Sequence, residues 1–430
     1  MSRVLQRLAA LAIVVAGAAA SMTMQAQPRR LAWICPNMPH DFGNLFLPGA
    51  AWTNLKRSTD VFKLYIGKLA SADTTFIDNA VAALNQAHIK VAVEAGGLRP
   101  FSGCDSMAGE NHAISELASM RSWLNRGGTI DYIVMDSPIN TMIATGAPGN
   151  CGMTVTQAAN ELADYMHAVR AVIPNVHFGW IEPVPWYTVG QYPNHPGNNY
   201  GDLPKVMDTV VRIIAQHGDS LEFFHADSPY EYSESQITHG WDKLKEMERH
   251  TRAKGLRFGL IFNSEFGGLN DDSTFYARTM DGWLKYGAAG GDPQDVIVQS
   301  WYPLPTTVLA ESTRYSFTFD ALQFFLQAGI NGPRTNGVDV HGAVQAGNVS
   351  VLPNPVASEG LVRFTLAGEE HVAGELFDMR GARAATLFEG TYSGGPHTVG
   401  VDLSGVPAGI YRCRVLQGSR AAETMVVIAR

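Results

Sequence analysis

Between residues 31 and 329 short apolar runs alternate with segments whose apolar residues recur every three or four positions. The runs fall at 31–37, 61–67, 89–95, 130–136, 176–182, 221–227, 256–263 and 295–301, and their length and composition read as strands. In the segments between them, Leu162, Tyr165, Val169, Val172 and Ile173 form one helical stripe. Val206, Val210, Ile213 and Ile214 form a second, and Trp241, Leu244 and Met247 a third. Asp73 and Asp272 stand where helix N-caps belong, and Gly127-Gly128 and Gly255 where helices stop. Eight strand–helix alternations predict an α/β fold, a (β/α)8 barrel over 31–329, in preference to an open doubly wound sheet. The first unit is the weakest, because PHDFGNLFLPGAAWTNLKRST yields only a short, poorly patterned helix.

After Gly329 the pattern changes. Residues 330–347 are rich in Gly and Asn, carry no helical stripe, and read as a linker. From 348 to 430 the runs VSVLPNP, GLVRFTL, GELFDM, AATLFEG, HTVGVDL, GIYRCRV and ETMVVIA alternate and are broken by turn residues. They predict a small Ig-like β-sandwich of about seven strands.

Composition narrows the class. With 430 residues, 46% hydrophobic and 17% charged, the chain has enough apolar material for one large core and a smaller module. A net charge of −8 argues against a general polyanion binder, so no nucleic-acid partner is expected. Residues 1–26 place Arg3 and Arg7 before the apolar stretch Leu8–Ala20 and then small residues. That order is expected of a secretory signal peptide, cut after Ala20 or Ala26. The stretch is short for a membrane span, so the mature chain is expected to be secreted or held at a bacterial cell surface. Cys104 and Cys151 follow successive strands and are expected to pair, whereas Cys35 and Cys413 read as buried thiols. The cysteine spacings suggest no zinc site, and no organic cofactor is implied.

The chemistry concentrates at the strand ends. Glu94, Asp136, Glu182, Asp227 and Glu265 each close an apolar run, where an ionised carboxylate is costly unless paired, hydrogen-bonded or at work. In a (β/α)8 barrel those ends form the functional mouth. Strand alternation should place Trp180 with Glu182, His225 with Asp227, and Asn263 with Glu265 on common faces. Lys68 is a candidate cation for the same mouth. Trp186, Tyr187, Tyr230, Tyr232, Trp301 and Tyr302 lie at or just beyond strand tips, where aromatic faces stack on sugar rings. Two carboxyls at controlled separation are what glycoside hydrolysis requires.

The bland alternatives are concrete. Asp136-Ser-Pro and Asp227-Ser-Pro each precede a proline and are able to hold a turn. Trp180 and Trp283 read as core, and His225 as either a carboxylate-orienting or a core residue. Gly218-Asp219-Ser220-Leu221 spells an esterase motif but precedes its strand, hence lies at the closed end of the barrel. Asn270-Asp271-Asp272 is a helix cap before it is a calcium site.

Two resemblances follow. Pro353-Asn354-Pro355, the LFDMRGARAATL run and the closing PAGIYRCRV and TMVVIAR resemble the C-terminal sorting domain of type IX secretion substrates. That implies an outer-membrane secretion machinery as partner. No aromatic cluster in this segment suggests a ligand platform. Residues 31–329 resemble, in architecture, the barrel-fold glycoside hydrolases. Many of these carry an Asn-Glu pair after strand four and a Glu after strand seven, matched here only by Glu265, since Met135-Asp136 ends the fourth strand. Alpha-galactosidase-like barrels use Asp after strands four and six, which selects Asp136 and Asp227. The reading is therefore a secreted glycosidase acting on a polysaccharide or oligosaccharide. Its candidate catalytic residues are Asp136, Glu265 and Asp227, with Glu265 as nucleophile and Asp136 as acid/base if configuration is retained. Glu94, Glu182, Lys68, His225, Asn263, Trp186, Tyr230 and Trp301 are substrate-binding candidates. An inactive surface carbohydrate-binding protein, a polysaccharide lyase and a metal-dependent hydrolase on the same barrel are the alternatives.

Overall fold

The computed structural model describes residues 30–145, 150–265, 271–330, 349–352, 356–366, 368–378, 382–417 and 420–428. The signal-peptide segment, nearly all of the linker, Asn270, Asn348 and Pro353–Pro355 lie outside the described residues.

All eight apolar runs form strands. They are β1 (Leu31–Cys35), β2 (Val61–Tyr65), β3 (Lys90–Ala95), β4 (Tyr132–Asp136), β5 (His177–Pro183), β6 (Leu221–Asp227), β7 (Arg257–Phe262) and β8 (Asp295–Gln299). Each pairs in parallel with its neighbours, and β1 closes the barrel by pairing Trp33 with both Val61 and Ile297. The intervening stripes pack outside the sheet as amphipathic helices do, with Leu162, Tyr165, Val169, Val210 and Met247 all buried. Val172 instead ends its helix exposed. Asp73 caps as expected, accepting from Phe76 N at 2.8 Å. The cap at the later helix is Asp271 rather than Asp272, accepting from Thr274 N at 2.7 Å, while Asp272 accepts from Thr306 N at 2.9 Å. Gly127 and Gly255 stop their helices with φ of +79° and +77°, a conformation that glycine adopts without steric cost. The first unit is weak, a 3-10 turn at Phe42–Phe46 and a six-residue helix at Thr53–Ser58. Ile330, expected to begin the linker, is still buried against the barrel's helical layer.

The barrel interior is a packed core in its lower half. Trp33, Val61, Ala92, Tyr132, Val134, Ile181, Phe223, Ile261 and Ile297 form one apolar cluster, the layered filling expected of this fold. Two glycines make room for it. A Cβ on Gly179 would lie 1.8 Å from the Phe223 ring, and one on Gly259 would lie 2.4 Å from His225. Above this plug, continuing the same inward faces, the chain places Cys35, Lys63, Glu94, Asp136, Asp227, Asn263 and Gln299. An apolar floor beneath a polar rim is what positions the site.

The C-terminal region forms two antiparallel sheets, consistent with a β-sandwich. Its strands are β9 (Ser350–Leu352), β10 (Glu359–Leu366), β11 (Glu370–Asp378), β12 (Arg383–Tyr392), β13 (Gly395–Asp402), β14 (Gly409–Gln417) and β15 (Arg420–Ile428). The sheet orders are β13-β10-β9 and β12-β11-β14-β15. Alternation along β10 buries Val362, Phe364 and Leu366 and exposes the residues between them, the pattern of a strand with one wet face. Phe364, Phe388, Tyr392 and His397 do form an aromatic cluster. Phe364 at its centre is buried, so the cluster is packing between strands and not an open platform.

Candidate active site

Four of the five strand-end carboxylates share the mouth of the barrel. Asp136, at the tip of β4, accepts from Ser137 Oγ at 2.9 Å and pairs with Arg99 Nη2 at 3.2 Å. Arg99 also donates to the Asp136 carbonyl at 2.6 Å, so guanidinium and carboxylate are held together. The side chain of Asp136 remains 36% exposed, and solvent reaches it. Glu94, on β3, pairs with Lys63 from β2 and accepts from Gln299 Nε2 at 3.1 Å. Asp227, at the tip of β6, is in no ion pair among the described residues, and its Oδ1 is buried without a hydrogen-bond partner. Glu265 follows β7 and is reached by the hydroxyls of Tyr232 and Tyr302.

These charges feel one another. Burial pushes the Asp227 carboxyl well above its ordinary range, and the charges of Asp136, Glu94 and Glu265 add to that rise against the pull of Lys63. Asp136 is also raised, by burial and then by Glu94, but Arg99, Ser137 and Lys63 hold it back. Its exposed third limits the effect further, since solvent screens what burial does not. The two aspartates therefore sit in unequal surroundings, one paired with a guanidinium and one feeling only the more distant Lys63. Lys63 is fully buried. Burial alone would lower its pKa, but Glu94, Cys35 and Asp136 outweigh that and raise it.

A cleft of about 470 Å³ is lined by Asn37, Met38, Pro39, Tyr65, Trp301, Tyr302 and Pro303, and none of the four carboxylates is in that lining. It lies over the ends of β1, β2 and β8, opposite the aspartates on β4 and β6. Tyr302 belongs to the cleft and also touches Glu265, which joins the aromatic side to the acidic side. Trp301 is 38% exposed there, where the sequence placed a sugar-stacking ring.

Glu182, Lys68, His225 and Tyr230 make their contacts away from this mouth. Glu182 points outward, because Ile181 and not Glu182 faces the interior plug. It is fully buried behind the sheet and accepts from Ile139 N, Asn140 N, Trp180 Nε1 and Tyr187 OH at 3.0 to 3.3 Å. Burial pushes its carboxyl up to about 7 against the pull of those four donors. It ties the helix Pro138–Ile143 to β5 and contacts no cleft residue. Replacing it with Ala strands four donors, so Glu182→Ala is expected to lose about 3–5 kcal/mol. Thermal unfolding reads this directly; an unchanged melting temperature would refute the structural role.

Lys68 lies over the Phe76 ring at 4.3 Å, in the helical layer. His225 is inside the barrel but below the mouth, stacked on Phe223 and bonded through Nε2 to Asp295 at 3.1 Å. Burial lowers its pKa to about 4, and the neutral ring belongs to the core. Tyr230 turns to the helices, donating to Asp281 at 2.6 Å and packing on Trp241. Trp186 is half-buried against Tyr200. Trp180 and Trp283 pack in the core and its margin. Asp219 of the esterase-like letters is spent on Arg170 at 2.7 Å. Cys104 and Cys151 are bonded, with Cα atoms 5.2 Å apart, and Cys35 and Cys413 are buried free thiols.

Sequence reasoning passed over Lys63 and Arg99. Lys63 had a readable signal, a lone charge inside the apolar run VFKLY. Two positioning carboxylates were also missed. Glu231 accepts from Ser264 Oγ at 2.6 Å and Glu265 N at 3.0 Å and pairs with Arg278, fixing the backbone that carries Glu265. Glu116 accepts from Gly96 N and Tyr165 OH and meets His112 at 3.0 Å, anchoring the turn that delivers Arg99. Among the described residues no group of three or more His, Cys, Asp or Glu is placed to hold a metal ion, and no helix is long and apolar enough to cross a membrane.

No family model and no curated protein matches this chain. Solved structures similar to it include the endo-beta-1,4-mannanase from Thermotoga petrophila, with 10% identity and a TM-score of 0.43 over 94% of this chain and 99% of that one. The glucosidase from Croceicoccus marinus gives 10% and 0.42 over 87% and 93%. The HpcH/HpaI aldolase from Desulfitobacterium hafniense DCB-2 gives 10% and 0.32 over 63% and 86%. Barrels of unlike chemistry stand side by side at these scores, so the site is argued from its own residues.

Proposed function

We propose that this chain is an exported glycoside hydrolase acting on a polysaccharide or oligosaccharide, with Asp227 as proton donor and Asp136 as the ionised partner. The observation that carries this reading is the unequal surroundings of the two aspartates in one mouth. Pairs of carboxyls whose environments drive their proton affinities apart assign acid and base roles. Asp227 forms no ion pair among the described residues and is the readier of the two to hold a proton; at Asp136 the contacts with Arg99 and Ser137 oppose the rise that burial and Glu94 cause and favour the carboxylate.

In this reading Asp227 gives its proton to the glycosidic oxygen as the bond to the anomeric carbon breaks. Asp136 stabilises the opposite face, either by attacking that carbon or by taking a proton from the water that does. In the first case water then cleaves the ester, surrendering its proton to Asp227; in the second, Asp136 keeps it. Glu265, set between two tyrosine hydroxyls, accepts from substrate hydroxyls, and Trp301 stacks on a ring. This moves Glu265 from the nucleophile's role that the sequence gave it. Export rests on the signal-like first 26 residues and the resemblance of the last 80 or so to a sorting domain.

A turnover screen of the full chain on a broad glycan panel tests the assignment, with proton NMR of the first-formed anomer to separate retention from inversion. Hydrolysis by the wild type is the expected result. Binding without turnover would replace the hydrolase with a carbohydrate-binding protein, and unsaturated ultraviolet-absorbing products would replace it with a lyase.

A further inference from the structure

The mouth contains hydrogen-bonding groups that the protein itself leaves open. Asn263 continues the inward line of Ile261 on β7 and is 3% exposed, yet neither Oδ1 nor Nδ2 has a partner. Asp227 Oδ1 on β6 and Gln299 Oε1 on β8 are likewise buried and open. Asn37, beyond β1, spends its amide N–H groups on the Tyr302 and Pro305 carbonyls at 2.8 and 2.9 Å but leaves Oδ1 open. These residues sit on four consecutive barrel positions, β6, β7, β8 and β1, and Asn37 lines the cleft. An unpartnered buried amide is destabilising, and groups of this kind gather where a ligand completes them.

The charge balance says what that ligand carries. Four carboxyl groups, Glu94, Asp136, Asp227 and Glu265, meet at the mouth. The cations whose contacts place them there are committed, Lys63 to Glu94, Arg99 to Asp136 and Arg278 to Glu231. An anionic sugar would meet cations already paired with carboxylates and would face like charge, which costs affinity steeply in a recessed site. The open atoms are mostly acceptors, completed by hydroxyl donors, and the Asn263 amide adds donors for ring or hydroxyl oxygens.

Resting on the hydrolase reading, we propose that the sugar unit held at this mouth is uncharged and hydroxyl-rich, and that Asn263 is the residue that positions it. Uronate and sulfated units are excluded by the same groups.

The test uses the full chain and compares binding and turnover on matched neutral, uronate-containing and deacetylated amino-sugar oligosaccharides, for wild type and Asn263→Leu. Neutral ligands are expected to bind at least about tenfold more tightly than the anionic ones. Asn263→Leu is expected to weaken neutral binding about tenfold or more, with unchanged or raised melting temperature, because it replaces an open buried amide with a similarly sized apolar group. A purely structural amide would show the reverse, lost stability and retained binding. Equal or tighter binding of uronates or amino sugars overturns the proposal, as does unaltered binding by Asn263→Leu. Neutral binding that Asn263→Leu abolishes, but with no cleavage by the wild type, sustains this inference while refuting the hydrolase. Binding of no sugar refutes both.

Discussion

Asp136→Asn is expected to lower kcat by at least about 10³-fold on any glycan the wild type cleaves. Unfolding free energy should change by no more than a surface ion pair is worth, about 0–1 kcal/mol. The asymmetry follows from position. Asp136 is partly exposed and its Arg99 contact is solvent-screened, so the fold gains little from the charge, while the proposed chemistry depends on it. Asn keeps the shape and the Ser137 contact but supplies no negative charge to a positive anomeric carbon. If Asp136 attacks that carbon, Asp136→Gly should regain turnover of an activated aryl glycoside when azide is added, giving a glycosyl azide of inverted configuration. Activity of Asp136→Asn above a tenth of wild type would remove Asp136 from the reaction. A residue serving only the Asp136-Ser-Pro turn would produce that outcome, so the variant also tests the bland reading.

Much of this fold was legible because barrel strands are short apolar runs spaced by helical stripes. Every predicted barrel run became a strand with ends within two residues of expectation. The inward or outward face of each strand end was less legible. Strands of a (β/α)8 sheet are buried on both sides, so the period-two signal that marks a wet face is missing. Glu182 and Asp136 close adjacent strands in similar sequence contexts, yet one faces the helices and the other the mouth. A register shift at Phe178/Gly179 on β5, next to the glycine that admits Phe223, is a local feature that no alternation rule anticipates. His225 shows the converse: its face was read correctly, but its depth was not, and two residues along a strand separate the mouth from the packed core. Tyr230 was misplaced for a third reason, since residues beyond a strand end no longer keep its alternation. Lys63 and Asn263 gave the clearest signals of all, polar side chains within or just beyond apolar runs where nothing local satisfies them.

Asp227→Asn is expected to separate substrates by leaving group. A proton donor matters most when the departing alcohol is a poor leaving group, so natural glycans should lose about 10²–10⁴-fold. Aryl glycosides with strongly acidic phenols should lose far less, because they leave without protonation. The pH dependence carries the sign. If Asp227 is the acid, wild-type activity needs it protonated and the alkaline limb reports the raised Asp227 carboxyl, although coupling to Asp136 makes the measured value a property of the pair. The variant should lose that limb. Stability gives an independent reading. Asp227 binds its proton more tightly in the fold than its ordinary value of 3.8, so the folded chain holds more protons than the unfolded one above that value. The resulting stabilisation is complete below 3.8 and is lost as pH rises through the folded-state value. Asn cannot titrate, so the melting temperature of Asp227→Asn relative to wild type should climb as pH increases. A uniform loss across all leaving groups, with the alkaline limb intact and a pH-independent melting difference, would mean that Asp227 is not the acid. Such a result would transfer the donor's role to Glu265, which Asp227 also feels.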